Sequence, residues 1–125
     1  MAMIATIRKS FSFEAAHWLP NVPADHKCRR MHGHTYRITI EVTGPVDPAT
    51  GWVMDFGRLT AAFEPLRAQL DHSTLNDLPG LANPTSENIA RWVWDRLIGE
   101  LPMLSAVLVE ENPANCCEYR GNSRG

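Results

Sequence analysis

The sequence lacks the features that mark membrane, secreted and nucleic-acid-binding proteins. It has no apolar run near the roughly 20 residues that a membrane-spanning helix needs. Its first residues lack the long apolar segment of a secretory signal. The formal net charge of −2 gives no broad basic surface for a polyanion. We therefore expect a cytoplasmic protein that binds neither membranes nor nucleic acid.

Cysteine is also scarce. Three cysteines cannot all pair within one chain, which favours a reducing compartment. Cys116 and Cys117 are adjacent, and a disulfide between neighbours is strained, so we expect free thiols. Internal repeats and low-complexity segments are absent from the sequence. A length of 125 residues at 44% hydrophobic content predicts one domain over residues 1–125.

Two stretches of strict alternation predict the first two strands of a sheet. Residues 4–16 and residues 32–43 alternate between apolar and polar side chains, as do strands with one buried face. Pro20 and Pro23 lie between them and indicate a long loop. Two further short strands are predicted late in the chain, at residues 105–111 and 116–120.

The middle of the chain has a helical period. Apolar residues recur every three or four positions over residues 56–70, which predicts a helix with Asp55 as its cap. The same period predicts a second helix that begins near Thr85, where Thr85 or Ser86 is able to cap it, and extends to Leu101. Pro65 lacks a backbone donor, so we expect a kink or an early end in the first helix. Two strands, two helices and two strands predict an α+β fold, with both helices on one face of a sheet of about four antiparallel strands. The open sheet edges favour oligomerisation.

Three histidines share the buried parity of the first two predicted strands. His32 and His34 are two positions apart, so their imidazoles point the same way, and His17 ends the other strand in phase with its apolar residues. Three neutral nitrogen ligands with an open fourth position are typical of a catalytic zinc site. This pattern favours a metal site over independent polar residues near strand ends.

Cys28 lies four residues before His32, next to Lys27, Arg29 and Arg30. As a fourth ligand it would close the metal site. As a neighbour it would be a thiol in positive surroundings, which favour the thiolate and hence a base or nucleophile. The polar flanks favour this reactive thiol over a buried structural cysteine, and the basic trio indicates an anionic ligand nearby.

Two carboxylate motifs carry weaker signals. Asp71 and His72 are adjacent after the first predicted helix and are able to relay a proton. Glu110 and Glu111 close the third predicted strand, where alternation points one carboxylate inward and the other outward. An inward carboxylate needs a partner, and a ligand with N–H donors is one candidate. Taken alone, the pattern favours a solvated strand end for either glutamate.

These motifs occur in an order that resembles the 6-pyruvoyltetrahydropterin synthase family across nearly the whole chain. Three residues between Cys28 and His32, with the stretch at residues 46–52, resemble the branch that makes 6-carboxy-5,6,7,8-tetrahydropterin for queuosine synthesis. The motifs are Phe11-x-Phe13-x-Ala-Ala-His17, Cys28-x-x-x-His32-Gly-His34, Asp71-His72-x-x-Leu75-Asn76, Pro84-Thr85-Ser86-Glu87-Asn88 and Glu111.

The resemblance implies the tunnelling fold, a four-stranded antiparallel sheet with two helices on one face, joined edge to edge into an oligomeric barrel with sites between subunits. It also implies a role for each motif. The implied zinc ligands are His17, His32 and His34; the catalytic base is Cys28; the proton relay is Asp71 and His72; the pterin-binding residues are Glu111, Thr85 and Ser86. Beside them, electrostatics makes Lys27 and Arg29 candidates for a triphosphate.

The implied substrate is 7,8-dihydroneopterin triphosphate, and the implied products are 6-carboxytetrahydropterin, acetaldehyde and triphosphate. One alternative is a synthase that eliminates triphosphate and gives the 6-pyruvoyl product. A second is a non-enzymatic zinc-stabilised module, which predicts a closed site with Cys28 coordinated. The expected assembly is a homo-oligomer, either trimer-based, tetrameric or hexameric.

Overall fold

A computed structural model describes residues 3–122, which form one mixed sheet and two helices. The strand order across the sheet is β3-β1-β2-β4-β5. In chain order the elements are β1 (Ile4–His17), β2 (His32–Pro45), α1 (Phe56–Leu70), β3 (Ser73–Thr74), α2 (Ser86–Leu97), β4 (Leu104–Asn112) and β5 (Asn115–Tyr119).

The prediction of a four-stranded antiparallel sheet is wrong in one respect. A fifth strand, β3, adds to the edge of β1 in parallel, opposite Ala15 and Ala16. His72 has a positive φ of 58°, and its N–H donates to the Glu14 carbonyl, which turns the chain from α1 onto the sheet. A strand of two residues has no periodicity, so the sequence pattern does not contain it.

Both helices lie on one face of the sheet, as predicted. The inward parity of the first two strands supplies Phe13, Tyr36 and Ile38, which join Phe63 of α1 and Val93 of α2 in one buried apolar cluster. Burial of this apolar area is the main source of the fold's stability. On the opposite face the residues of β1 are mostly exposed, whereas Thr39 and Glu41 of β2 are buried polar residues.

The first helix has the predicted bounds and cap. Asp55 Oδ1 accepts the Gly57 N–H at 2.9 Å, which satisfies one of the free donors of the first turn. Pro65 lies inside α1 but does not shorten it, because the helix continues to Leu70. Its side chain is exposed, so the cost is a missing backbone hydrogen bond and not a disrupted core.

The second helix is shorter than its apolar pattern suggests. Thr85 caps it, as predicted, but it ends at Leu97, and Leu101 is buried from the turn that follows. Neither helix of residues 3–122 is both long and apolar enough to cross a membrane. The three cysteines are free thiols.

Candidate functional site

Strand register brings three histidines together at one end of the sheet. His17 pairs directly with His32 across β1 and β2, and His34 follows two residues later opposite Ala15. All three imidazoles lie on the helix side, with ring centroids 4.6 to 5.1 Å apart. One ring nitrogen from each lies within 4.8 Å of the others, so the predicted triad forms a group able to hold a metal ion.

Backbone carbonyls orient two of these rings. His17 Nδ1 lies 2.8 Å from the Pro84 carbonyl, and His32 Nδ1 lies 2.7 Å from the Arg30 carbonyl. A carbonyl can only accept, so each Nδ1 carries the hydrogen and each Nε2 keeps its lone pair. Metal-binding histidines are oriented by such bonds to their other ring nitrogen.

Burial leaves nitrogen atoms of the triad without protein partners. The Nε2 atoms of His17 and His34 are buried and make no hydrogen bond with the described residues. Burial lowers the pKa of His17, opposed by its bond to Pro84, and burial lowers the pKa of His34, opposed by the Glu111 charge. Buried, neutral, unpartnered imidazole nitrogens suit a divalent metal ion, so the donor set fits one.

Cys28 lies beside the triad and outside it. It is half-buried on a 3₁₀ turn, residues 27–29, and lines a cavity of about 410 Å³ with Lys27, His32, His34 and Glu111. The group of metal-capable residues found between residues 3 and 122 does not include Cys28. The structure thus favours the neighbouring thiol over the fourth ligand.

Glu111 connects the metal-capable group to the start of α2. Its Oε1 accepts the Ser86 hydroxyl hydrogen at 3.1 Å, and its Oε2 lies 3.9 Å from His34 Nε2. The predicted alternation separates the two carboxylates of β4, because Glu110 pairs in register with Arg37 and Cys116 and is not on the cavity wall.

Of the other predicted substrate-binding residues, Ser86 and Lys27 each line a cavity that Glu111 also lines, whereas Thr85 and Arg29 line neither of these cavities. Ser86 lines a smaller cavity of about 230 Å³ that shares Glu111 with the first. The Thr85 hydroxyl is occupied as the helix cap, accepting the Asn88 N–H at 3.1 Å. Lys27 lines the Cys28 cavity, whereas the Arg29 guanidinium donates to the Val22 carbonyl at 3.0 Å.

Of the Asp71–His72 pair, His72 lines a cavity other than that of Cys28. This cavity has a volume of about 470 Å³, and its wall shares only His34 with the Cys28 cavity. Asp71 Oδ1 accepts the Glu14 N–H at 3.0 Å and lies 3.1 Å from His72 Nδ1. The bond from Glu14 lowers the pKa of Asp71, which keeps the carboxylate beside its histidine ionised.

Three residues of the site were not predicted as such. Asn112, at the end of β4, and Asn115, at the start of β5, line the Cys28 cavity, and Asn115 also lines the smaller one. The Tyr36 hydroxyl is buried without a hydrogen-bond partner among the described residues, and its ring is 5.4 Å from that of His34. Tyr36 continues the parity of His32 and His34, which is also the parity of the apolar core residues of β2.

A family model for 6-pyruvoyl tetrahydropterin synthase matches residues 6–122. The chain belongs to this family. A protein of Synechocystis described as 6-carboxy-5,6,7,8-tetrahydropterin synthase is 44% identical, over 90% of this chain and 91% of its own. Human 6-pyruvoyl tetrahydrobiopterin synthase is 36% identical, over 94% and 92%.

A solved structure supports the same assignment. The 6-pyruvoyl tetrahydropterin synthase of Caenorhabditis elegans superposes with a TM-score of 0.87 at 28% identity, covering 97% of this chain and 98% of its own. The family resemblance is thus confirmed, with the 6-carboxy branch represented among the similar proteins. The α+β fold with two helices matches that of the family member.

Proposed function

We propose that this protein converts 7,8-dihydroneopterin triphosphate to 6-carboxy-5,6,7,8-tetrahydropterin in a zinc-dependent reaction. Acetaldehyde and triphosphate leave, and one water is consumed. The observation that carries the proposal is one cavity lined by Cys28, Glu111 and two histidines of the triad. The 44% identity to the Synechocystis 6-carboxy synthase supports the choice of product.

His17, His32 and His34 would hold the zinc ion through the ring nitrogens that lie within 4.8 Å of one another. When bound, zinc would supply a Lewis acid that polarises side-chain oxygens of the substrate and acidifies the adjacent carbon. The carbonyls of Pro84 and Arg30 keep two imidazoles in the required tautomer.

Cys28 acts as the base in this proposal. Its thiolate removes a proton from the substrate side chain. The cavity wall that Cys28 shares with His32 and His34 supports this role. Lys27, the residue before Cys28, lines the same cavity.

Glu111 anchors the pterin ring. Its carboxylate accepts N–H bonds from the ring, while the Ser86 hydroxyl holds the carboxylate in place at 3.1 Å. Thr85 contributes through the start of α2, since its hydroxyl already caps the helix. Lys27 is the basic residue best placed for the triphosphate, because Arg29 is engaged with a backbone carbonyl.

Asp71 and His72 relay a proton in the site of a neighbouring copy. Within one chain His72 lines a cavity other than that of Cys28, so the two act together only if chains associate. We therefore propose a homo-oligomer, trimer-based, tetrameric or hexameric, whose sites lie between subunits.

The test is product analysis. Zinc-loaded protein is incubated with 7,8-dihydroneopterin triphosphate, and the products are identified by mass. We expect 6-carboxytetrahydropterin and equimolar acetaldehyde. Unchanged substrate would refute the proposed activity, and triphosphate release without acetaldehyde would refute the proposed product.

The second candidate is triphosphate elimination to the 6-pyruvoyl product. The 36% identity to the human 6-pyruvoyl synthase, across 94% of this chain, favours it. The non-enzymatic zinc module has less support, because the metal-capable group of the described residues lacks Cys28 as a fourth ligand.

A further inference from the structure

One histidine near the cavity has no part in the proposed mechanism. His26 is exposed, lies two residues before Cys28, and is outside the metal-capable group of residues 3–122. Its imidazole nonetheless contacts the backbone of Cys28. Nδ1 of His26 accepts the Cys28 N–H at 3.0 Å.

This contact defines the role of the imidazole. A backbone N–H can only donate, so Nδ1 of His26 is the acceptor in this contact. The residue occupies the N-cap position of the 3₁₀ turn over residues 27–29, with an extended backbone at φ −70° and ψ 136°. Histidine thus fills a position where Ser, Thr, Asp or Asn is usual.

The cap adds to other hydrogen bonds of the turn, in which the Arg30 N–H donates to the Lys27 carbonyl and the Arg29 guanidinium donates to the Val22 carbonyl. The loop between β1 and β2 runs over residues 18–31, and no side chain of the turn is buried. Two bonds hold the Cys28 backbone: its N–H bonds to His26, and its carbonyl accepts the Leu19 N–H at 2.8 Å. The His26 backbone is itself anchored, donating to Pro23 and accepting from Arg29.

We propose that His26 is a positioning residue for Cys28. The imidazole fixes the 3₁₀ turn, and the turn aims the thiol into the cavity shared with His32 and His34. Catalysis needs the base within hydrogen-bond reach of the proton it removes, so a loosened turn slows the chemical step. This inference rests on the proposed function, in which Cys28 is the base.

The experiment compares His26→Ala, which removes the acceptor, with His26→Asn, whose side-chain oxygen is able to cap. Asp25→Ala, an exposed neighbour, is the control. Cysteine-selective ¹⁵N labelling gives amide signals from Cys28, Cys116 and Cys117, so hydrogen exchange at Cys28 is read directly. The last two belong to β5 and serve as internal references.

In His26→Ala we expect Cys28 amide exchange to speed up by about tenfold or more, while the β5 signals stay unchanged. We expect kcat to fall by roughly 10- to 100-fold, with little change in KM, because the thiol is misplaced and substrate binding is not. His26→Asn restores both amide protection and kcat. Bound zinc and the circular dichroism spectrum stay at wild-type values in every variant.

Three results would overturn the proposal. The first is a His26→Ala variant whose kcat and Cys28 amide exchange rate are both those of the wild-type protein. The second is a His26→Ala variant that loses kcat while its Cys28 amide exchange rate stays unchanged. The third is an Asn variant that regains protection and stays inactive. If the wild-type protein does not turn over the pterin substrate, the proposed function fails, while the exchange data still report whether His26 holds the turn.

Discussion

At the scale of single residues, two of the three candidate metal ligands have unpartnered ring nitrogens. The Nε2 atoms of His17 and His34 are buried without a hydrogen bond among the described residues. His26 and His72 lie outside the metal-capable group and use Nδ1 in contacts with Cys28 and Asp71. A buried polar atom left unpaired costs free energy, and a metal ion is the partner that a group of three imidazoles fits.

The role of Cys28 gives the first prediction. Cys28→Ala should keep one zinc per chain and lose essentially all turnover, because the proposed function gives metal binding to the triad, which excludes Cys28, and proton removal to the thiol. Metal analysis and a product assay measure the two effects separately. Cys28→Ser is the matched variant, with a much weaker acid in place of the thiol. Loss of zinc from either variant would make Cys28 a ligand.

The two carboxylates that end β4 give the second prediction. Glu111→Gln should weaken binding of a pterin by about 1.5–3 kcal/mol, as expected for bonds to a charged acceptor. Glu110→Gln, in the neighbouring position and off the cavity wall, should change it by less than about 0.5 kcal/mol. Calorimetric titration with the pterin measures both. Equal losses would contradict the assignment of Glu111 as the inward carboxylate.

At the scale of secondary-structure elements, one buried carboxylate on the sheet face opposite the helices joins three strands and the residue that follows a fourth. Glu41 of β2 is only 2% exposed. It accepts bonds from Arg8 of β1 at 2.9 Å, from Ser105 of β4 at 2.8 Å and from Arg120, just after β5, at 3.1 Å. Burial acts to raise the pKa of Glu41, but the bond from Ser105 and the charge of Arg120 outweigh it and lower that pKa.

The third prediction concerns this carboxylate and pH. Because its pKa is lower in the folded state than the ordinary 4.5, Glu41 stabilises the fold above that pH and loses its contribution as pH falls below it. Glu41→Gln should cost about 1–3 kcal/mol at pH 7 and progressively less below pH 4.5. Urea unfolding at several pH values measures the difference.

Glu118→Gln is the matched control for Glu41. Glu118 also pairs with Arg120, at 2.6 Å, but its side chain is 46% exposed. Solvent screening makes such a pair worth at most about 1 kcal/mol. An equal loss of stability in the two variants would contradict the role of burial. A destabilisation by Glu41→Gln that does not shrink below pH 4.5 would contradict the lowered pKa of Glu41.

Elements also show where pattern reasoning works and where it fails. Helix α1 spans the predicted residues 56–70 with Asp55 as its cap. The prediction succeeds because helical periodicity over fifteen residues and a capping side chain are both local signals. Strand β3 has no such signal, since Ser73 and Thr74 become a strand only by lying against β1. The end of α2 was overestimated because Leu101 is buried without being helical.

At the scale of the whole molecule, the apolar core and the metal-capable group occupy different parts of the fold. The apolar cluster extends over the inner face of the sheet and both helices, while the triad occupies one end of β1 and β2. The fold therefore has a hydrophobic core of its own, unlike small domains that fold only around a metal.

The fourth prediction is metal removal. Protein treated with a chelator should keep its far-ultraviolet circular dichroism and a cooperative unfolding transition, lose activity, and recover it with added Zn²⁺. The unfolding temperature should fall on removal, because an ion that binds only the folded state stabilises it. Unfolding of the metal-free protein at room temperature would contradict a purely catalytic site.

The fifth prediction tests the shared site. Cys28→Ala and His72→Ala are each expected to be inactive. When their subunits are exchanged, mixed oligomers should regain activity at up to about a quarter of the sites, because those sites combine an intact Cys28 with an intact His72 from another copy. Light scattering gives the subunit number. Absence of recovery, despite mixing shown by mass spectrometry, would place both residues in one subunit's site.

The sequence by itself determined the helix and strand periods, the caps and the in-phase histidines, because these depend on spacing along one segment. Only the tertiary structure decided which groups meet: His17 with His32, Glu111 with Ser86, Asn115 with the cavity wall, and Arg29 with a carbonyl. Such contacts depend on strand register and loop path. These are fixed by the burial of side chains distant in sequence, and no local pattern contains them.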